Sequence, residues 1–146
     1  NRAIGIIAVC SNGGPGPFSA LMPTILLVDD SPTIRRMVRT ALASVPGAEF
    51  AEAASGLQAL EALAIQPVDM MVLDLNMPDM HGLDVLKFVR SHQQSRALPV
   101  LVLTTRGDES TREAVMRAGA SAYMTKPFSP TALAAAAQEL LSSSLS

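Results

Sequence analysis

Two hydrophobic periods alternate along the chain from Thr24 onward. "TILLVD" (24–29) is a continuous apolar run bounded by breakers, the pattern of a strand buried on both faces. Pro32 opens a helical stripe in which Ile34, Met37, Val38, Ala41, Leu42 and Val45 recur at three- and four-residue steps, and "PG" at 46–47 stops it. Asp30 or Ser31 is the expected N-cap of that helix, with Pro32 in its first position. A short strand, "EFAEA" (49–53), leads to Ser55, an N-cap candidate, and to a helix expected to turn Ala59, Leu60, Leu63 and Ala64 inward. "VDMMVLDL" (68–75) repeats the buried-strand signature, and Gly82, Val85, Leu86 and Val89 mark the next helix. "LPVLVLTT" (98–105) is a fourth strand, followed by a helix over about 108–118 that ends at Gly119. "SAYMT" (121–125) is a fifth strand, and Leu133, Ala136, Ala137, Leu140 and Leu141 stripe a last helix.

Strict alternation of strand and helix implies an α/β fold: a doubly wound, five-stranded parallel sheet with five helices covering both faces. Residues 22–146 form one domain in this reading. Residues 1–21 read as a non-native or upstream extension, since "AIGIIAVC" and "SNGGPGPFSA" lack the charged start and cleavage site of a signal peptide. Composition narrows the classes of function. A net charge of -2 offers no basic field to nucleic acid. The single cysteine, Cys10, cannot close an internal disulfide, and no Cys/His spacing resembles a zinc site, so a reducing cytoplasm fits. No apolar run reaches the roughly 18 residues of a membrane span.

In such a sheet, ligands bind in the crevice beyond the carboxyl ends of the strands. There the polar residues become informative. Asp29 and Asp30 end the first strand, Asp74 the third and Thr104 the fourth, while Lys126 follows the fifth. Singly, each has an ordinary explanation: a helix cap, a turn former, a β-branched strand residue, a surface lysine. Their convergence on one rim favours metal and phosphoryl chemistry.

These motifs, "VDDS", "VLDLNMPDMHGLDVL", "VLTT" and "YMTKPF", resemble the receiver domain of two-component response regulators, particularly the single-domain kind used in chemotaxis. The resemblance spans about residues 22–141. The steps of 44 residues from Asp30 to Asp74, 30 to Thr104 and 22 to Lys126 also match that family. It implies a flavodoxin-like fold with strand order 2-1-3-4-5. It further implies Asp74 as phosphoacceptor, Asp29 and Asp30 as the acidic pair for Mg²⁺, and Thr104 and Lys126 as the phosphoryl-binding pair. Asn76 is implied to lend its backbone carbonyl to the metal, and Tyr123 to be the switch aromatic. The implied partners are a histidine kinase or phosphotransfer protein upstream and a protein target at the face of helix 4, strand 5 and helix 5. The chain itself is expected to be a monomer or weak dimer.

Physical chemistry gives those roles independent support. Crowded carboxylates repel one another, and a hard divalent cation with oxygen ligands relieves the repulsion. Phosphoryl transfer needs a nucleophile and neutralisation of charge spreading over the phosphoryl oxygens. The chain has two lysines, Lys87 and Lys126, against nine arginines, so a compact ammonium at the rim is a meaningful choice. Lys126-Pro127 is a candidate cis peptide. Thr105 and Arg106 depart from the small-then-acidic pattern of chemotaxis receivers and are expected to govern access of water and small donors to Asp74. The alternatives are an aspartate-nucleophile phosphatase, opposed by Asn76 where such enzymes need a second carboxylate, and a receiver separated from a larger protein.

Overall fold

The computed structural model describes residues 22–144; the expected extension at residues 1–21 and residues 145–146 lie outside the described residues. The elements alternate as the apolar pattern requires: β1 (Thr24–Val28), α1 (Pro32–Leu42), β2 (Glu49–Ala53), α2 (Gly56–Ile65), β3 (Met70–Leu73), α3 (Gly82–Ser91), β4 (Val100–Thr104), α4 (Glu109–Arg117), β5 (Ala122–Thr125) and α5 (Pro130–Ser144). All strand pairs are parallel, and their order is β2-β1-β3-β4-β5. The three central strands β1, β3 and β4 are buried along their whole length, as continuous apolar runs demand, whereas the edge strands β2 and β5 are only partly covered.

The strand side chains alternate between two cores. Leu26, Val28, Met71, Leu73, Val100 and Val102 face α2, α3 and α4, where they meet Ala59, Val85, Leu86, Val89 and Val115. Ile25, Leu27, Met70, Val72, Leu101 and Leu103 face α1 and α5, where they meet Val38, Leu42, Leu133, Ala137 and Leu141. A shift of one residue in any central strand would exchange these two sets, so register and core are specified together. That register aligns the strand ends.

Each expected helix forms, with corrections of detail. Ser31, not Asp30, caps α1: its Oγ accepts from the Ile34 N–H at 3.2 Å, with Pro32 in the first turn. Ser55 caps α2 in the same way through Gln58. Two positions in the expected inward stripes face solvent instead. Met37 is 48% exposed, and Ala64 is exposed while its neighbour Ala62 is buried. Both lie on the margin of a helical stripe, and Met37 borders a groove between α1 and α5 that Ala41, Phe128 and Ala134 also line. Helix α4 spans Glu109–Arg117 between an N-cap at Asp108 and a C-cap at Ala118, and Gly119, at φ +111°, stops it as expected, its N–H donating to the Met116 carbonyl at 3.1 Å. The Lys126-Pro127 peptide is cis. Among the described residues, no helix is long and apolar enough to cross a membrane.

Candidate functional site

The parallel ladder places the rim residues. Leu73 is level with Val28 on one side and Val102 on the other, so Asp29 and Asp74, each one residue further on, leave adjacent strands together. The Asp29 N–H donates to the Ala53 carbonyl at 3.1 Å and the Asp74 N–H to the Val28 carbonyl at 2.9 Å. Thr104 is level with Thr125, and the Lys126 N–H donates to the Thr104 carbonyl at 2.7 Å. Sheet hydrogen bonds therefore continue into the site itself, and they fix four of its backbones.

The side chains converge. Lys126 Nζ lies 2.8 Å from Asp29 Oδ2 and 3.2 Å from Asp74 Oδ1, bridging the two buried carboxylates. Asp29 Oδ1 also accepts the Ser31 N–H at 2.9 Å. Thr104 is fully buried, and its Oγ1 accepts the Arg106 N–H at 3.2 Å. Among the described residues, Asp29, Asp30 and Asp74 each offer a ligand atom, and these atoms lie within 4.8 Å of one another. Two members of this group are buried and Asp30 is exposed. An all-oxygen donor set of this kind, open to water at Asp30, fits a hard divalent ion such as Mg²⁺, which keeps several waters.

Electrostatics follow from the crowding. Burial, and then the charge of Asp29, push the Asp74 carboxyl above its ordinary value, opposed by Lys126 and by the Asn76 amide. Burial works against the charge of Lys126, but its bonds to Asp29 and Asp74 and their charges outweigh that, and its pKa is raised. Lys126 thus stays an ammonium within a nest of carboxylates.

The opposite side of the rim is more open. Thr105, Arg106, Gly107 and Asp108 are all exposed. The Arg106 guanidinium turns to Asp108, 3.3 Å away. Asp108 caps α4, and the Ser110 hydroxyl, the Thr111 hydroxyl and the Thr111 N–H hold its carboxyl well below the usual range. Tyr123 is half-buried, and its hydroxyl donates to the Arg106 carbonyl, tying β5 to the β4–α4 loop. Asn76 is exposed in the β3–α3 loop.

Three supporting residues escape a reading of the sequence. Asp79 accepts the Gly56 and Leu57 N–H groups at 3.1 Å each, fastening the loop after Asp74 to the start of α2. Gly82 folds that loop back so closely that a Cβ would sit 2.4 Å from the Asp74 carbonyl oxygen. Arg35 donates from Nη1 to the Asp29 carbonyl at 2.5 Å. Only Gly82 left a local trace, as a small residue at a helix start; the partners of Asp79 lie 23 and 22 residues away, and Arg35 meets Glu52, 17 residues away, as well as Asp29.

Residues 25–138 match the response regulator receiver domain. The chain is 36% identical over 110 residues to chemotaxis protein CheY1 of Helicobacter pylori, covering 75% of this chain and 89% of that one. It is 42% identical over 107 residues to the transcriptional regulatory protein KdpE of Mycobacterium tuberculosis, covering 73% of this chain and 46% of the relative. The solved structure of the chemotaxis protein CheY4 of Vibrio cholerae superposes with a TM-score of 0.75 at 35% identity, over 82% of this chain and 98% of that chain.

Proposed function

Because the chain belongs to the response regulator receiver family, we propose that it accepts a phosphoryl group from a histidine kinase or phosphotransfer protein onto Asp74 in a Mg²⁺-dependent reaction, and signals in the cytoplasm through a changed protein-binding surface. The observation that carries this reading is the contact of one ammonium, Lys126 Nζ, with both Asp29 and Asp74 at the carboxyl edge of the sheet. In this reading a carboxylate oxygen of Asp74 attacks phosphorus, an O–P bond forms, and the P–N bond to the donor imidazole breaks. Asp29, Asp30, Asp74 and the Asn76 carbonyl would hold Mg²⁺, which supplies charge neutralisation for the phosphoryl oxygens. Lys126 is already within reach of Asp74 and needs little movement to meet those oxygens.

Thr104 and Tyr123 carry the response. The Thr104 hydroxyl is a donor as well as an acceptor, so it can rotate from the Arg106 N–H toward a new phosphoryl oxygen. Its movement would loosen the β4–α4 loop, to which the Tyr123 hydroxyl is bound, and so alter the face made by α4, β5 and α5. The target at that face is a protein. The domain acts as a phosphoacceptor that assists its own phosphorylation and dephosphorylation rather than as an enzyme on separate substrates. Incubation with labelled acetyl phosphate and Mg²⁺ tests this. Retention of about one label per chain on the protein is expected, whereas steady release of phosphate with no retained label would favour a phosphatase.

A further inference from the structure

The acidic pair sits where β1 leaves the sheet and the chain turns into α1. Asp29 is tied down at its N–H by Ala53, at Oδ1 by the Ser31 N–H and at Oδ2 by Lys126. A fourth tie comes from outside this turn. Arg35, 15% exposed, sends Nη1 to the Asp29 main-chain carbonyl at 2.5 Å and Nε to Glu52 Oε1 on β2 at 2.8 Å. Asp30 follows Asp29 directly and is exposed, so its placement depends on how the Asp29 backbone is held.

We propose that Arg35 is a positioning residue for the acidic pair: its guanidinium, anchored on Glu52, grips the Asp29 carbonyl and sets where Asp29 and Asp30 present their carboxylates to a divalent cation. This rests on the reading of the three aspartates as a Mg²⁺ site. Two observations separate the role from a surface ion pair. Glu52 already has a second cation, Arg39, which is 48% exposed and bonds Oε2. Neutralising Glu52 therefore does not require Arg35. Moreover, the two bonds of Arg35 use separate N–H groups of one planar fork on acceptors from different elements, a geometry that a lysine ammonium on a flexible stem does not reproduce.

Charge and geometry predict opposite signs. A cation beside three carboxylates repels Mg²⁺, so if Arg35 acted only by charge, its removal would tighten binding. If it acts by position, removal weakens binding even when the charge is kept. The experiment is a Mg²⁺ titration of the metal-free full chain and its variants, followed by backbone amide NMR shifts, with folding checked by circular dichroism. Arg35→Lys and Arg35→Met should both weaken Mg²⁺ by about tenfold, and both should shift the Asp29, Asp30 and Ser31 amides before metal is added. Arg39→Met, which leaves the Asp29 contact intact, should stay within about twofold of wild type. Tighter binding in Arg35→Met with Arg35→Lys at the wild-type value would overturn the proposal in favour of charge alone, as would unchanged affinity in both. Should Arg35→Met fail to fold, Arg35→Lys decides. A wild-type chain that binds no Mg²⁺ would instead overturn the metal-site reading beneath it.

Discussion

The two sides of the rim are built differently. On the β1–β3 side, Asp29 and Asp74 are 6% and 4% exposed, their backbones extend the sheet ladder, and their carboxylates meet Lys126. On the β4–α4 side, residues 105–108 are exposed and held by short-range bonds such as Arg106 to Thr104 and Arg106 to Asp108. One longer tie, the Tyr123 hydroxyl on the Arg106 carbonyl, connects that loop to β5. In the proposed function, chemistry belongs to the ladder-held side, called rigid below, and response to the exposed loop side, called loose. A nucleophile gains from fixed geometry, while a switch needs an element whose alternative arrangement is close in energy.

The largest expected effect lies on the rigid side. Asp74→Asn and Asp74→Ala should abolish phosphorylation with the fold intact; undiminished transfer of label from a phosphohistidine donor to either variant would break the comparison at its centre. Next, Asp30→Ala should weaken Mg²⁺ by more than about tenfold, because it removes a proposed ligand of the ion. Titration by NMR shifts measures this, and an unchanged affinity would leave Asp30 with no role on the rigid side.

A third expectation concerns pH. The folded protein raises the Asp74 pKa above its unfolded value near 3.8. Stability from holding that proton is therefore fully present below the unfolded value and lost as pH rises through the raised folded one. Above that raised value, ionised Asp74 costs the metal-free protein stability. Asp74→Asn should melt at higher temperature than wild type there, with the gap closing as pH falls toward 3.8. Thermal melts in chelator across that range would check it, and a gap that widens on acidification would reverse the assigned sign. Added Mg²⁺ should raise the melting temperature of wild type more than that of the variant.

The loose side should give smaller effects. Thr105→Ala is expected to speed entry of small phosphodonors, and Arg106→Glu to alter dephosphorylation more than Mg²⁺ affinity. Time courses of label gain and loss compare them with wild type; identical curves would remove both residues from the control of access. Least of all, Tyr123→Phe should lower stability by about 1 kcal/mol through loss of one hydrogen bond while leaving the rate of phosphorylation near wild type. Denaturant midpoints measure the first part, and hydrogen exchange with and without beryllofluoride shows whether the response of α4 is blunted.

Much of this was legible in the chain. "TILLVD", "MMVLD" and "VLVLT" are buried strands by composition, and because strands in a parallel sheet all point one way, their terminal Asp29, Asp74 and Thr104 had to share a rim. Lys126 followed from its step after the fifth strand. The marginal positions were not legible: Met37 and Ala64 fit a helical stripe as well as their buried neighbours do, and only the packed sheet decides that they face water. The choice of Ser31 over Asp30 as cap was likewise open, since both residue types cap helices and the turn geometry selects one.

The sequence by itself determined the order of elements, the two-sided burial of the central strands and the set of polar residues at their ends, because these are local consequences of hydrophobic period and breaker placement. Tertiary structure decided which of those residues touch. That Lys126 meets both Asp29 and Asp74 depends on strand order and register. That Arg35 meets Glu52, 17 residues away along the chain, as well as the Asp29 carbonyl depends on β2 lying beside β1. That Asp79 fastens the β3–α3 loop depends on the start of α2, 23 and 22 residues earlier. Hydrogen bonds fall off over tenths of an ångström, and a one-dimensional pattern carries no information on that scale until the core has packed.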